Sequence, residues 1–258
     1  MTNILAHDLG QVEYEEAGPK GRQTLVLFHT LLAEMSVYDR IFPELAKSRH
    51  VLRFNFPGYG KSTGQCKSID DYADWTAAVF KAFKFNHPAH IFSNGFGGFV
   101  SLAFCLRHPS LVASLTVANS GPGFPEERKV PLRALSQNSI KLGMSAVLDV
   151  AINRMFPSSF AQAHPEIIER RKQALSGADP AQFSQACLAL TELDLSSRLA
   201  DIRCPVKVIA GMDDQTTPPE MSRALVTGIP NVRYNEIPLC GHCPQLQRPE
   251  ELIRLIQD

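Results

Sequence analysis

The stretch Ile91-Phe92-Ser93-Asn94-Gly95-Phe96-Gly97-Gly98 limits what this chain can fold into more than any other. The apolar run His90–Phe92 reads as a buried strand and Phe99–His108 as a helix, with almost no linker between them. A strand that turns this abruptly into a helix is the setting of the G-x-S-x-G elbow, in which a strained turn lifts a serine hydroxyl above a sheet edge. Here Gly95 occupies the serine's position and Ser93 that of the first glycine. The central residue of such a turn sits at positive φ, which costs glycine almost nothing, so Gly95 keeps the turn and discards only the hydroxyl. Gly97 and Gly98 let the following helix approach the neighbouring strands. A phosphate cradle is disfavoured, because neither G-x-G-x-x-G nor G-x-x-x-x-G-K-[ST] is spelled out.

Around this turn the chain alternates strands and helices. Gln11–Ala17 has the alternation of a half-exposed antiparallel strand, and Thr24–Phe28 the continuous apolar run of a strand buried on both faces. A helix is expected over Val37–Lys47, a strand over His50–Phe56, and a helix capped by Ser68-Ile69-Asp70-Asp71, with Asp70 and Asp71 at its positive end, running to about Phe85. After the elbow come a strand at Leu115–Ala118 and, from Gly121 to about Asp201, only helical patterns: Leu132–Leu142, Ser145–Phe156, Pro165–Ser176 and Pro180–Leu190. Strands resume at Cys204–Ala210 and Val232–Ile237, with helices at Pro219–Thr227 and Pro249–Ile256. This rhythm predicts an α/β fold with a mostly parallel sheet flanked by helices. Residues 1–120 and 202–258 would form its core, and 121–201 an inserted helical cap.

Composition narrows the partners. The chain has 258 residues, and 26 Lys+Arg balance 26 Asp+Glu, so no net charge favours nucleic acid or an anionic membrane. No run approaches the ~20 apolar residues of a spanning helix, and Met1–Gly10 lacks the basic and apolar regions of a secretory signal. The six cysteines are scattered in mostly apolar company, as free thiols would be in a reducing compartment, and a cytoplasmic location is expected. Oligomeric state leaves no trace in the sequence.

The order of elements and motifs resembles the α/β-hydrolase family across essentially the whole chain, and most closely lactonases of the 3-oxoadipate enol-lactonase kind. The likeness rests on the His29 turn, on Val51-Leu52-Arg53-Phe54-Asn55 leading into Pro57-Gly58-Tyr59-Gly60, and on the elbow. It continues with Gly211-Met212-Asp213-Asp214 before Thr217-Pro218-Pro219, and Gly241-His242 before Arg248-Pro249-Glu250. The resemblance implies an α/β-hydrolase fold and a triad in the chain order serine, acid, histidine. Matched residue by residue, Gly95 takes the serine's place, Asp214 the acid's and His242 the histidine's, with Asp213 the neighbouring alternative for the acid. Backbone N–H groups of Phe96 and of Thr30 or Leu31 would form an oxyanion hole. Thr30 stands where the family often has glycine or serine, and Asn55 where many members carry aspartate.

Other residues compete for a role. Ser93 lies two positions before the bend and is a weaker rival for the nucleophile. Cys240-Gly241-His242-Cys243 spells C-x-x-C, but outside the strand–helix setting of a redox motif. As a zinc site those residues lack a fourth ligand, so neither metal nor cofactor is expected. His29, Ser93, Arg154 and Met155 are candidates for the pocket, Arg154 as the partner of a substrate carboxylate. The expected function is an enzyme acting on a small ester, lactone or related carbonyl compound. Its Asp214–His242 pair would activate water or shuttle a proton, as a hydrolase, lyase or isomerase, with no serine nucleophile. A catalytically inactive ligand-binding homologue and a serine hydrolase stripped of its nucleophile are the alternatives.

Overall fold

A computed structural model describes residues 2–21 and 23–258; Met1 and Arg22 lie outside it. One eight-stranded sheet runs in the order β1-β2-β4-β3-β5-β6-β7-β8. Its strands are β1 (Asn3–His7), β2 (Gly10–Ala17), β3 (Leu25–Phe28), β4 (Val51–Phe54), β5 (Ala89–Asn94), β6 (Val112–Ala118), β7 (Val206–Gly211) and β8 (Val232–Ile237). The β1–β2 and β2–β4 pairs are antiparallel and all the others parallel. The expected mostly parallel α/β sheet is therefore present.

Burial explains which strands the sequence announces. Every residue of β3 and β4 is buried, as is all of β5 except His90, so these strands read as apolar runs. Strand β1 has no fully buried residue and offers no such pattern; it pairs with β2 and packs on the core through Leu5 and through His7, whose ring sits edge-on to Trp75 at 5.0 Å. The expected helix over Val37–Lys47 is replaced by a 3₁₀ turn, Met35–Tyr38, and a one-turn helix α1 (Phe42–Leu45). Pro43 enforces the break: in a continuous helix its ring would strike the carbonyl of Asp39. Helix α2 (Ile69–Phe83) starts where the cap at Ser68-Ile69-Asp70-Asp71 is expected, and the structure adds that Ser68 and Asp71 cap each other reciprocally. Helix α3 (Phe96–Arg107) begins directly after the bend, earlier than the apolar run suggests.

Between β6 and β7 the chain is helical: α4 (Glu126–Leu142), α5 (Met144–Asn153), α6 (Ser158–Ala163), α7 (Pro165–Ser176) and α8 (Pro180–Glu192). Here α4 packs along α8, and α5 on α4 and α7. Buried Arg171 of α7 ties this segment to the loop after β3, with Nη2 donating to Ser36 Oγ at 2.8 Å and Nη1 3.3 Å from Glu34 Oε1. The chain closes with α9 (Pro219–Gly228), α10 (Pro244–Gln247) and α11 (Pro249–Gln257). Among the described residues no helix is long and apolar enough to cross a membrane.

Strand order and register fix where the loops meet. The order reverses at β3, whose neighbours are β4 and β5, and ligand crevices of open α/β sheets form outside the carboxyl ends at such a point. Phe28 pairs with Ser93 across β3 and β5. The chain beyond β3 therefore carries Thr30 level with Gly95.

Candidate active site

The elbow is built as the sequence requires. Gly95 joins β5 to α3 at φ 53° and ψ −116°, where a side chain is strained. Its amide donates to Ala118 O at 3.1 Å. Two residues on, the Gly97 amide donates to His29 O at 3.0 Å, and a Cβ at Gly97 would lie 2.4 Å from Phe28 O. Only glycine lets α3 come this close to β3.

Across from Gly95, His242 and Asp214 meet. His242 Nδ1 donates to Asp214 Oδ2 over 2.8 Å, with both residues buried. Asp214 Oδ1 also accepts the amides of Thr216 at 2.8 Å and Thr217 at 3.2 Å. A carboxylate held by several donors cannot turn away from the ring. Thr217 Oγ1 lies 2.8 Å from Asp214 Oδ2 and 2.8 Å from Asn119 O. Asp213 is exposed and apart from this cluster.

Three side chains absent from the sequence reading hold the loops together. Asn119, at the end of β6, accepts from the Gly211 amide through Oδ1 at 2.6 Å and donates through Nδ2 to Gly241 O at 2.8 Å. It thereby ties the acid's loop to the histidine's. Asn94 donates to His242 O at 2.9 Å, and Gln245 donates to Asn94 Oδ1 at 3.0 Å. From the helical segment, Met155 O accepts the His242 amide at 2.8 Å. Buried asparagines at strand ends, facing loops that carry their own unpaired backbone groups, are the signal that could have found the first two.

The other ring nitrogen of His242 is engaged as well. Nε2 lies 2.9 Å from Thr30 Oγ1. With Nδ1–H given to Asp214, Nε2 carries the lone pair and Thr30 is the donor. Neither Leu31 N–H nor Phe96 N–H has a hydrogen-bond partner among the described residues.

The remaining candidates are dispersed. His29 is fully buried and does not face a pocket: Nδ1 donates to Thr30 O at 2.9 Å and Nε2 accepts the Phe56 amide at 3.0 Å. Burial pushes its pKa down to about 4, which keeps the ring neutral and able to accept that amide. Ser93 is buried against Ser101 Oγ at 2.8 Å and is turned away from the bend. Met155 contributes its carbonyl to His242, and its own side chain is buried. Arg154 is exposed and lines a cavity of about 580 Å³, together with Leu32, Phe124, Arg128, Leu135 and Thr216. That lining stops short of Gly95 and His242, although it includes Leu32, next to Leu31, and Thr216, next to Thr217. Burial pushes the Cys240 thiol up to about 12 and raises Cys243 too, so neither is a ready thiolate. Among the described residues no three His, Cys, Asp or Glu side chains are grouped to hold a metal ion.

Asn55 has a local explanation. Its Nδ2 donates to the buried Glu13 carboxylate at 2.9 Å and its Oδ1 accepts the Met35 amide at 2.8 Å. An aspartate there would set two carboxylates against each other.

Comparison with known proteins agrees with this architecture. The chain is 26% identical over 271 residues to a 2-hydroxy-6-oxononadienedioate/2-hydroxy-6-oxononatrienedioate hydrolase of Paraburkholderia phymatum, covering 96% of this chain and 90% of that protein. Among solved structures, the enol-lactonase from Burkholderia xenovorans superposes with a TM-score of 0.92 at 21% identity, covering 99% of this chain and 98% of that one. A thermophilic esterase from Thermogutta terrifontis gives 0.90 at 22% identity, covering 100% and 97%. The family model for the alpha/beta hydrolase fold matches residues 23–249. With that match and its elbow at the sheet's switch point, the chain belongs to the alpha/beta hydrolase family.

Proposed function

We propose that this protein is a hydrolase of a small carbonyl compound, an ester, a lactone or a related ketone, and that it works without a serine at the elbow. The observation that carries this reading is the buried Asp214–His242 pair, whose Nε2 faces the Thr30 hydroxyl across from Gly95. Asp214 fixes the tautomer and stabilises the imidazolium that forms when Nε2 accepts a proton. The amides of Phe96 and Leu31 are suited to receive the developing oxyanion. Residues 121–201 act as the cap over this site. The cavity beneath the cap suits an apolar body with an anionic end, because Arg128 and Arg154 line it against one acid, Glu127, and among the described residues no acidic side chain is bonded to either arginine. The kinds of relatives support the same class of substrate: one acts on an oxononadienedioate and another is an enol-lactonase.

A panel of short esters, lactones and carboxylate-bearing enols tests the reading. His242→Gln should lower kcat/KM by about 10²–10⁴-fold, the range for a lost general base. Equal activity in His242→Gln and the parent would sink it. Glycine at the elbow favours a second reading, a ligand receptor on the same scaffold, which requires saturable binding with no turnover of any member of the panel.

A further inference from the structure

The missing hydroxyl has a replacement at the same place. A Cβ built on Gly95 would lie 2.2 Å from Thr30 Oγ1, 2.9 Å from Thr30 Cβ and 2.5 Å from His242 Nε2. The Thr30 side chain thus fills the space an elbow side chain would take. Its hydroxyl makes the bond to histidine that an elbow serine would make, at 2.9 Å. We propose that Thr30 Oγ1 is the nucleophile of this enzyme, so that a Thr30–His242–Asp214 relay replaces the usual one from the opposite side of the crevice. The proposal rests on the carbonyl-hydrolase reading above.

Three features support a chemical role over simple filling. Thr30 is buried and, among the described residues, its hydroxyl has one hydrogen-bond partner, His242 itself. Its backbone is held in place: His29 Nδ1 donates to Thr30 O at 2.9 Å, and Tyr59 OH donates to Leu31 O at 2.6 Å. A β-branched side chain on a fixed backbone has few rotamers, so the oxygen is aimed without further entropy loss. Finally, the amides of Leu31 and Phe96, unbonded among the described residues, directly follow Thr30 and Gly95, the two residues that share this space. Glycine at the elbow then has a reason: any side chain there would displace the threonine.

The steps balance as in other hydroxyl nucleophiles. His242 Nε2 takes the Thr30 proton while Oγ1 bonds to the carbonyl carbon, and the carbonyl π pair moves onto its oxygen, facing the two amides. Collapse breaks the bond to the leaving oxygen, which takes the proton from Nε2 and departs as alcohol, leaving an acyl ester on Thr30. Water then gives a proton to Nε2 and bonds to the acyl carbon. The Thr30 oxygen leaves, takes back its proton, and the acid is released.

The experiment uses the full chain with a p-nitrophenyl ester of a short acid and, separately, a fluorophosphonate that marks activated hydroxyls. Circular dichroism confirms folding of Thr30→Ser, Thr30→Val, Thr30→Gly and His242→Gln. Label on the peptide containing Thr30, retained in Thr30→Ser and absent in Thr30→Val and His242→Gln, is the expected result. It should come with a loss of ester turnover of about 10³-fold or more in Thr30→Val. Turnover retained in Thr30→Val, or raised in Thr30→Gly where water could reach Nε2, would overturn the nucleophile and leave the hydrolase reading intact. Neither label nor turnover in the parent chain would overturn both.

Discussion

The crowding at Gly95 makes Gly95→Ser an informative perturbation, because its costs separate. The backbone at φ 53° and ψ −116° strains any residue with a Cβ, by about 1–3 kcal/mol. The new Cβ would sit 2.2 Å from Thr30 Oγ1 and 2.5 Å from His242 Nε2, well inside contact distance, so the threonine must move. Such overpacking costs about 1–3 kcal/mol, and breaking the Thr30–His242 bond about 1 kcal/mol more. The single variant should therefore lose about 3–7 kcal/mol. In a Thr30→Gly background the clash with the threonine and the bond are already gone, and adding Gly95→Ser should cost the backbone share, about 1–3 kcal/mol, plus the contact that remains with His242 Nε2. Urea unfolding of the parent, both single variants and the double variant closes the cycle, with an expected coupling of up to about 4 kcal/mol. The double variant should also be marked by the fluorophosphonate on the peptide carrying the elbow. Costs that add to within about 0.5 kcal/mol would refute the picture of two residues sharing one space.

The buried His29 predicts a second dependence, on pH. Its folded value of about 4 lies below the unfolded 6.5, so the unfolded chain binds a proton that the folded chain refuses. Stability from this group is whole above pH 6.5 and falls through the window down to about 4, by about 3 kcal/mol in all. Urea unfolding at stepped pH should show this slope, and His29→Asn should remove it. Arg171→Met strands Glu34 in the seam between α7 and the β3 loop and should cost about 3 kcal/mol. Adding Glu34→Gln should restore most of that, again by urea unfolding.

What the sequence displays is what neighbouring residues settle among themselves. The elbow, the buried strands and the Asp214 and His242 loops are local patterns, and the family resemblance only orders them. The Thr30–His242 bond joins residues far apart in the chain, and nothing near Thr30 announces it beyond an unusual residue in a familiar place. His29 was equally opaque, since a histidine after a strand can face a pocket or brace a loop. Only the meeting of its ring with Thr30 O on one side and the Phe56 amide on the other decides for the brace. Strand β1 was silent because only Leu5 and His7 of its five residues are half-buried, too few to mark a side-chain pattern. The helix expected over Val37–Lys47 failed for a readable reason, Pro43, whose effect outweighs apolar spacing.

The bond from the His242 amide to Met155 O gives the histidine two landlords. Its side chain is governed by the sheet through Asp214, while its main chain leans on the link between α5 and α6. Any route that admits substrate by lifting that link releases the base from one support at the same moment. In the mechanism proposed above, the proton acceptor would be at full strength only with that link in place. Grafting a foreign helical insertion onto this sheet would then disturb the His242 main chain along with whatever the cavity selects.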